Sequence, residues 1–253
     1  MSAAALRRVM GHMSVGLDQD LANAFYEVLS QTPLLVPEAA GAPVVMRGPG
    51  GQPALPVFLD RPALLRWSKR PMPARTCSAR EAAAIALGTP GAWLVVDFES
   101  SPGGQPVARA GVELLAAGSY PHADRYREQE ALVAELLAVG SQDALSQELL
   151  ARAARTRFFT IGDAHDGPEI SPGVYESPGM SLQTVRGPDG ALYLPAWPSL
   201  GATFVFMPEA PRRLHLELGR LVRGALAGSA GLVIGAPAPT LSWTPVRLAS
   251  AWR

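Results

Sequence analysis

Cysteine is nearly absent from this chain. Cys77 is the single one in 253 residues, which excludes an intrachain disulfide and a zinc site built on several thiolates. Net charge is absent as well. The 22 Lys and Arg balance 22 Asp and Glu, whereas a nucleic-acid partner asks for an excess of cations. No run of about 18 apolar residues exists, so no segment reads as a membrane span. Arg7 and Arg8 precede apolar stretches broken by Gly11, His12 and Gly16, which is unlike a secretory signal. The four histidines, His12, His122, His165 and His215, are scattered, and no Ser-His-Asp order with a nucleophile elbow is present. With 48% hydrophobic and 17% charged residues the chain reads as globular rather than disordered, and a soluble cytoplasmic protein is the expectation.

What is present is a repeat. Arg47-Gly48-Pro49-Gly50-Gly51 and Leu55-Pro56-Val57-Phe58 recur 139 residues later as Arg186-Gly187-Pro188-Asp189-Gly190 and Leu194-Pro195-Ala196-Trp197. Upstream, Leu21, Phe25, Thr32, Leu34 and Leu35 match Leu145, Leu149, Thr156, Phe158 and Phe159 at an offset of 124. Downstream, Leu94-Val95-Val96 matches Leu232-Val233-Ile234 at an offset of 138. The change of offset places an insertion of about fifteen residues in the second copy, which a surface loop tolerates cheaply. A period this long implies two tandem domains rather than a solenoid.

A loose arm over 1–17 precedes a helix capped by Asp18 or Asp20, with Leu21, Ala24, Phe25, Val28 and Leu29 on one stripe. Leu34-Leu35-Val36 reads as a strand, and 44–59 as a hairpin around the Gly-Pro turn. Asp60 caps a short helix, 70–76 reads as a loop, and Ser78 with Glu81 forms a capping box for the next helix. Trp93 to Phe98 is a strand, Ser100 to Gln105 a Gly-rich loop, and Val107 to Leu115 a helix. The second copy reads as helix 143–155, strand 157–161, long loop 162–180, hairpin 182–197, strand 203–207, helix 211–226 and strand 231–235, with a truncated tail. The expected fold is α+β. It has two tandem related domains, 18–118 and 143–253, each a small mixed β-sheet with helices. A helical connector over 119–142 joins them, and a pseudo-twofold axis relates them.

The first copy resembles a known family. Phe25 to Val36, Leu55-Pro56-Val57-Phe58, Leu64-Leu65-Arg66-Trp67 and Trp93-Leu94-Val95-Val96 are similar to the N-terminal domain of the SseB family, named for enhanced serine sensitivity. The resemblance covers roughly 18–100, and the second copy shares it through the first. Asp97-Phe98 and Gly235-Ala236 stand where many members have Asn-Pro after the final strand. The resemblance implies an α+β domain without an established activity and transfers no catalytic residues.

Three residues are candidates for ligand binding. Arg47 and Arg186 hold equivalent places beside equivalent turns, where paired guanidiniums can clamp an anion. The alternative is that each sits on the wet face of its hairpin. Trp197 closes the second hairpin between Pro195 and Pro198 and is expected to be partly exposed, as aromatics at interfaces are. Cys77, next to a helix start, is a candidate for a lowered thiol pKa. Asp163, His165, Asp166 and Glu169 are a second-rank cluster for a metal or for acid–base work, the competing reading being a solvated loop.

The reading is a non-catalytic cytoplasmic protein of SseB-like type, without cofactor, metal, nucleic acid or membrane, that binds a protein partner or small ligand. The alternatives are an enzyme or metal-dependent activity centred on 163–169, and a homo-oligomeric scaffold held by the Trp243 to Trp252 tail.

Overall fold

The computed structural model describes residues 3–16, 18–48, 51–89, 92–98, 104–139, 146–176, 179–210, 212–235 and 241–252, leaving aside the side chains of 164–166 and 179–180. The chain forms two compact units. The first takes residues 1–14 and 25–123, and the second takes 15–24 and 124–253.

The first unit begins with α1 (Ala3–Met13), where a loose arm is expected from sequence. Ala5, Leu6, Val9 and Met10 are buried at helical spacing, and that stripe holds the segment down. The helix α2 (Gln19–Ser30) follows, its residues up to Ala24 counted with the second unit, with Asp18 accepting from the Leu21 N–H at its start. The strands β1 (Leu34–Ala39), β2 (Ala42–Pro43), β3 (Met46–Arg47) and β4 (Pro53–Val57) lead into α3 (Arg61–Ser68). Then come β5 (Ala74–Cys77), α4 (Ala79–Leu87), β6 (Trp93–Val96), β7 (Gln105–Val107) and α5 (Arg109–Ala116). Two sheets result, ordered β2-β1-β5 and β3-β4-β6-β7. The expected loop 70–76 ends in β5, which pairs antiparallel with β1 from Leu34↔Cys77 to Pro37↔Ala74. Asp60 caps α3 through the Ala63 N–H, and the capping box of Ser78 and Glu81 is formed.

The second unit opens on α6 (Arg127–Val139), a helix within the expected connector, and α7 (Gln147–Arg155). Next are β8 (Arg157–Asp166), β9 (Glu169–Ser171), β10 (Val174–Tyr175), β11 (Gly179–Leu182), β12 (Val185–Arg186) and β13 (Leu192–Ala196). The unit closes with α8 (Leu200–Phe206), β14 (Arg213–Glu217), α9 (Leu218–Ala227), β15 (Gly231–Ile234), β16 (Leu241–Trp243) and α10 (Pro245–Ala251). Its sheets run β11-β8-β14-β10-β9 and β12-β13-β15-β16.

The pairings recur between the units at the sequence offsets. The ladder Leu34↔Cys77 to Pro37↔Ala74 reappears as Phe158↔Leu216 to Ile161↔Arg213. The parallel ladder Ala54↔Trp93 to Val57↔Val96 reappears as Tyr193↔Gly231 to Ala196↔Ile234. The repeated turns close alike. Gly48 N–H donates to the Gln52 carbonyl at 2.7 Å, and Gly187 N–H to that of Ala191 at 2.8 Å. Gly51 and Gly190 sit at φ of 79° and 80°, where a side chain is strained.

Four expectations for the second copy are corrected. The segment 162–180 is largely strand, extending the β8–β14 ladder rather than looping out. Residues 200–206 are helical despite β-prone Thr203, Phe204 and Val205, because Ser199 caps the helix and its residues Leu200 to Phe204 are buried. The segment 213–217 is a strand, with Leu214 and Leu216 alternating against Arg213, His215 and Glu217. The tail, expected to be truncated, carries β16 and α10, the counterparts in order of β7 and α5.

The core of the second unit gathers Phe158, Leu194, Leu214, Leu221, Leu232, Trp243 and Leu248, with Leu132, Val133 and Leu136 of α6. Trp252 meets Trp243 edge-on at 6.4 Å, so both tail aromatics are spent inside this unit.

Among the described residues, each unit also keeps one charged side chain out of water, Asp97 in the first and Arg213 in the second. In the first, Asp97 is 0% exposed and left-handed at φ 51° directly after β6. Its N–H donates to the Val57 carbonyl, as the N–H of its counterpart Gly235 does to Ala196. Arg7 of α1 donates to the Asp97 carboxylate at 3.0 Å and reaches Asp60 at 2.8 Å. Removing one partner of a buried pair strands the other charge. Arg7→Ala should therefore destabilise the protein by about 2 kcal/mol, below the fully buried range because Arg7 is itself partly solvated. Urea denaturation reads this directly, and Asp97→Asn added to Arg7→Ala should recover part of the loss. A change under about 0.5 kcal/mol would mean that the pair does not hold α1 in place.

Candidate functional site

In the second unit β8 and β14 place Arg157, Phe159 and Ile161 on one face together with Arg213, His215 and Glu217. The opposite face, with Phe158, Leu214 and Leu216, enters the core. The Phe159 and His215 rings stack at 4.2 Å, and Tyr126 meets Phe159 edge-on at 5.6 Å. The Tyr126 hydroxyl and Arg125 Nε both donate to Asp20 Oδ1 at 2.5 Å, and Arg125 Nη1 donates to Gln19 at 3.0 Å. Burial raises the Asp20 carboxyl pKa, but the hydrogen bonds from Arg125 and Tyr126 outweigh it and hold the group below its ordinary value. Tyr126 moves the other way, its pKa raised by burial and by the Asp20 charge.

Beside this network lies a cavity of about 580 Å³. The first turn of α6 lines it with Glu128 and Gln129, the end of α7 with Arg152 and Arg155, and the two strands with Arg157 and His215. Arg152 pairs with Glu135, and Arg157 with Glu176 at 2.8 Å. Arg157 Nη2 also donates to the His215 carbonyl at 2.7 Å. Arg155 is exposed and has no hydrogen-bond or ion-pair partner among the described residues. Two buried nitrogens in the cavity walls, Arg157 Nε and His215 Nε2, accept or donate no hydrogen bond there either. The carbonyl of Arg152, near the negative end of α7, is satisfied by the Thr156 N–H and hydroxyl. The wall thus offers three guanidinium groups and a neutral imidazole against the single carboxylate of Glu128, a set suited to a carboxylate or phosphate.

The sequence candidates are placed differently. Arg47 is exposed on β3 opposite Pro53. Arg186 is exposed on β12 and donates to the Gly190 carbonyl of its own turn at 2.7 Å. The two belong to different units, and each is on the wet side of its hairpin. Trp197 is 5% exposed, which overturns the expected partial exposure. Its main chain exchanges two hydrogen bonds with Phe159, as that of Phe58 does with Leu35, so the residue seals the junction between sheets. The equivalence with Phe58 is the signal that reports this. Of the acidic cluster, Asp163 and Glu169 are exposed, and Glu169 is occupied by the Gly173 N–H. The side chains of His165 and Asp166 lie outside the described residues, as do Ser100 to Gly103. His215, scattered in the sequence, gains its place only through the β8–β14 register.

Cys77 is buried in β5. Burial pushes the thiol above its ordinary pKa, Glu81 adds to this, and Arg75 opposes it, which reverses the expected lowering. Iodoacetamide should label Cys77 slowly in the native protein near neutral pH and quickly in urea. Fast native labelling would contradict this placement.

Residues 6–113 match the family model of the SseB protein N-terminal domain, a span running from α1 into α5. No curated protein matches the chain. Among solved structures, Anabaena Tic22 (protein transport) is similar at 14% identity over 86% of this chain and 93% of that one, with a TM-score of 0.22. At that TM-score the likeness bears on neither fold nor function. Among the described residues no helix is long and apolar enough to cross a membrane.

Burial, reinforced by Arg157 and opposed by Asp20 and Glu176, with Arg125 again lowering, brings the His215 pKa down from 6.5 to about 4. The folded state then binds fewer protons than the unfolded one between these values. Its contribution to stability is complete above pH 6.5 and is lost as pH falls toward 4, by about 3 kcal/mol at most. His215→Gln should flatten the acid limb of a urea-derived stability profile by that amount. Parallel profiles for the two proteins would refute the assignment.

Proposed function

We propose that this chain is a non-catalytic binding protein of two SseB-like units, in which the second unit holds a small anionic ligand. The match over residues 6–113 supports the family reading for the first unit, and the recurrence of its pairings supports extending it to the second. The observation that carries the anion reading is the cavity of about 580 Å³, where, among the described residues, Arg155 and the Arg157 Nε have no partner. An anion in that cavity gives both guanidiniums an acceptor. Arg47 and Arg186 remain secondary anion contacts in this reading, one on each hairpin.

Thermal unfolding in orthophosphate, citrate and sodium chloride at matched ionic strength tests it. A ligand of the native state stabilises by mass action, about 2.7 kcal/mol at a hundredfold excess over its dissociation constant. Phosphate or citrate should raise the midpoint beyond chloride, and Arg155→Ala should abolish the difference without moving the midpoint in buffer. Equal shifts for all three salts would sink the anion site, and an undiminished shift in Arg155→Ala would place it elsewhere.

A further inference from the structure

The first unit has an open cavity where the second unit is filled. Beside α3 the chain turns back through Arg70, Pro71 and Met72 and leaves a cavity of about 340 Å³. Its apolar side is Leu64, Leu65, Pro71 and Met72, and Leu65 is 48% exposed. Leu64, Leu65, Ser68 and Pro71 correspond at the 139-residue offset to Thr203, Phe204, Met207 and Ala210. Those four are the residues that the Arg213 guanidinium occupies. Its Nε donates to Thr203 Oγ1 at 2.8 Å, and Nη1 and Nη2 donate to the Ala210 and Met207 carbonyls at 3.1 Å. The group lies 3.7 Å from the Phe204 ring centroid. Arg213 is 0% exposed, so it is a plug built into the second unit. The first unit has Ala74 at that position, paired to Pro37 as Arg213 is to Ile161.

Arg61 and Arg70 line the open cavity. Residues 61–75 also hold Arg66, Lys69 and Arg75 and no acidic residue, the preceding Asp60 being engaged by Arg7. Arg61 is directed to the Met72 and Ala74 carbonyls at 3.5 Å, and Arg75 pairs with Glu38. The Arg70 side chain has no partner among the described residues. Lys69 holds a left-handed backbone at φ 59°, where glycine is less strained, and its side chain is exposed between Arg66 and Arg70. At the same offset, Lys69 and Arg70 are replaced in the second unit by Pro208 and Glu209.

We infer that this cavity docks an acidic segment of a partner protein, which inserts one apolar side chain where Arg213 stands in the second unit. The concavity favours a peptide anchor over a flat anionic surface, and Arg61 and Arg70 at its wall select carboxylates beside the anchor. This surface is independent of the anion cavity.

The test is selection of displayed peptides on the full chain, followed by anisotropy with the recovered peptide. The expected family carries Asp or Glu around a Leu, Phe or Met. Ala74→Arg, which installs the second unit's plug, and Arg70→Glu, at an exposed position, should each weaken binding at least about tenfold at an unchanged thermal midpoint. If Ala74→Arg unfolds the protein, Arg70→Glu and Leu65→Ala decide. Recovery of neutral or basic peptides, or of none, overturns the inference, as does equal binding by the variants. Tighter binding to vesicles with one-quarter phosphatidylglycerol, or to a single-stranded oligonucleotide, also overturns it in favour of that surface.

Discussion

The parallel pairing of β4 with β6, and of β13 with β15, is the constraint on which the rest of each unit hangs. Parallel strands cannot be joined by a tight turn, so a long crossover has to leave the sheet and return. Here the crossover is α3-β5-α4 in one unit and α8-β14-α9 in the other. Its middle strand pairs with β1 or β8 in the second sheet, so one excursion builds both sheets and the helical cover. The excursion supplies the wall of the smaller cavity and one residue of the larger, whose other walls are α6, α7 and β8. The basic groove lies where the crossover starts, and His215 stands on its middle strand.

A buried charge accompanies the crossover in each unit, of opposite sign. Asp97 terminates the parallel pair in the first unit and is met by Arg7, so the carboxylate ties an N-terminal helix to a strand end. Gly235 reaches the equivalent left-handed backbone without a side chain, and no such tie is needed there. Arg213 is held by carbonyls, a hydroxyl and an aromatic face. Guanidinium tolerates this because its planar fork satisfies several acceptors at once and is weakly hydrated for a cation. An ammonium at the same place would not span Thr203, Met207 and Ala210 together.

Sequence reasoning found what is repeated or locally signalled. The Gly-Pro turns, the Asp60 cap and the Ser78 capping box depend on a few neighbouring residues, and each forms where expected. It missed what depends on distant partners. The strands β5 and β14 are too short to declare a period, and only pairing with β1 and β8 makes them extended. Thr203, Phe204 and Val205 favour a strand locally, yet burial of that turn under a Ser199 cap wins. α1 was hidden by the Gly11 break, although Ala5, Leu6, Val9 and Met10 carry its stripe. Trp197 was misplaced because its flanking prolines spoke for a surface, while its alignment with Phe58 spoke for the interior. Neither cavity was legible: the larger joins α6, α7, β8 and β14 from distant parts of the sequence, and the smaller depends on how the chain turns back after α3.

Divergence between the two units is the most direct pointer to function in this molecule. The β1–β5 and β4–β6 ladders recur residue for residue as β8–β14 and β13–β15, so both units answer to the same folding constraint. Side chains away from those ladders have separated in chemistry. One unit fills the space beside its crossover helix with Arg213 and carries Pro208 and Glu209 outside it. The other leaves the space open beside Lys69 and Arg70 and accepts a lysine in strained backbone. A fold gains nothing from an unfilled cavity with an exposed leucine, because lost contacts and solvated apolar surface both cost stability. The second unit demonstrates that the same backbone can be plugged with a single side chain. An open counterpart beside Arg61 and Arg70 is therefore a feature that folding alone does not require.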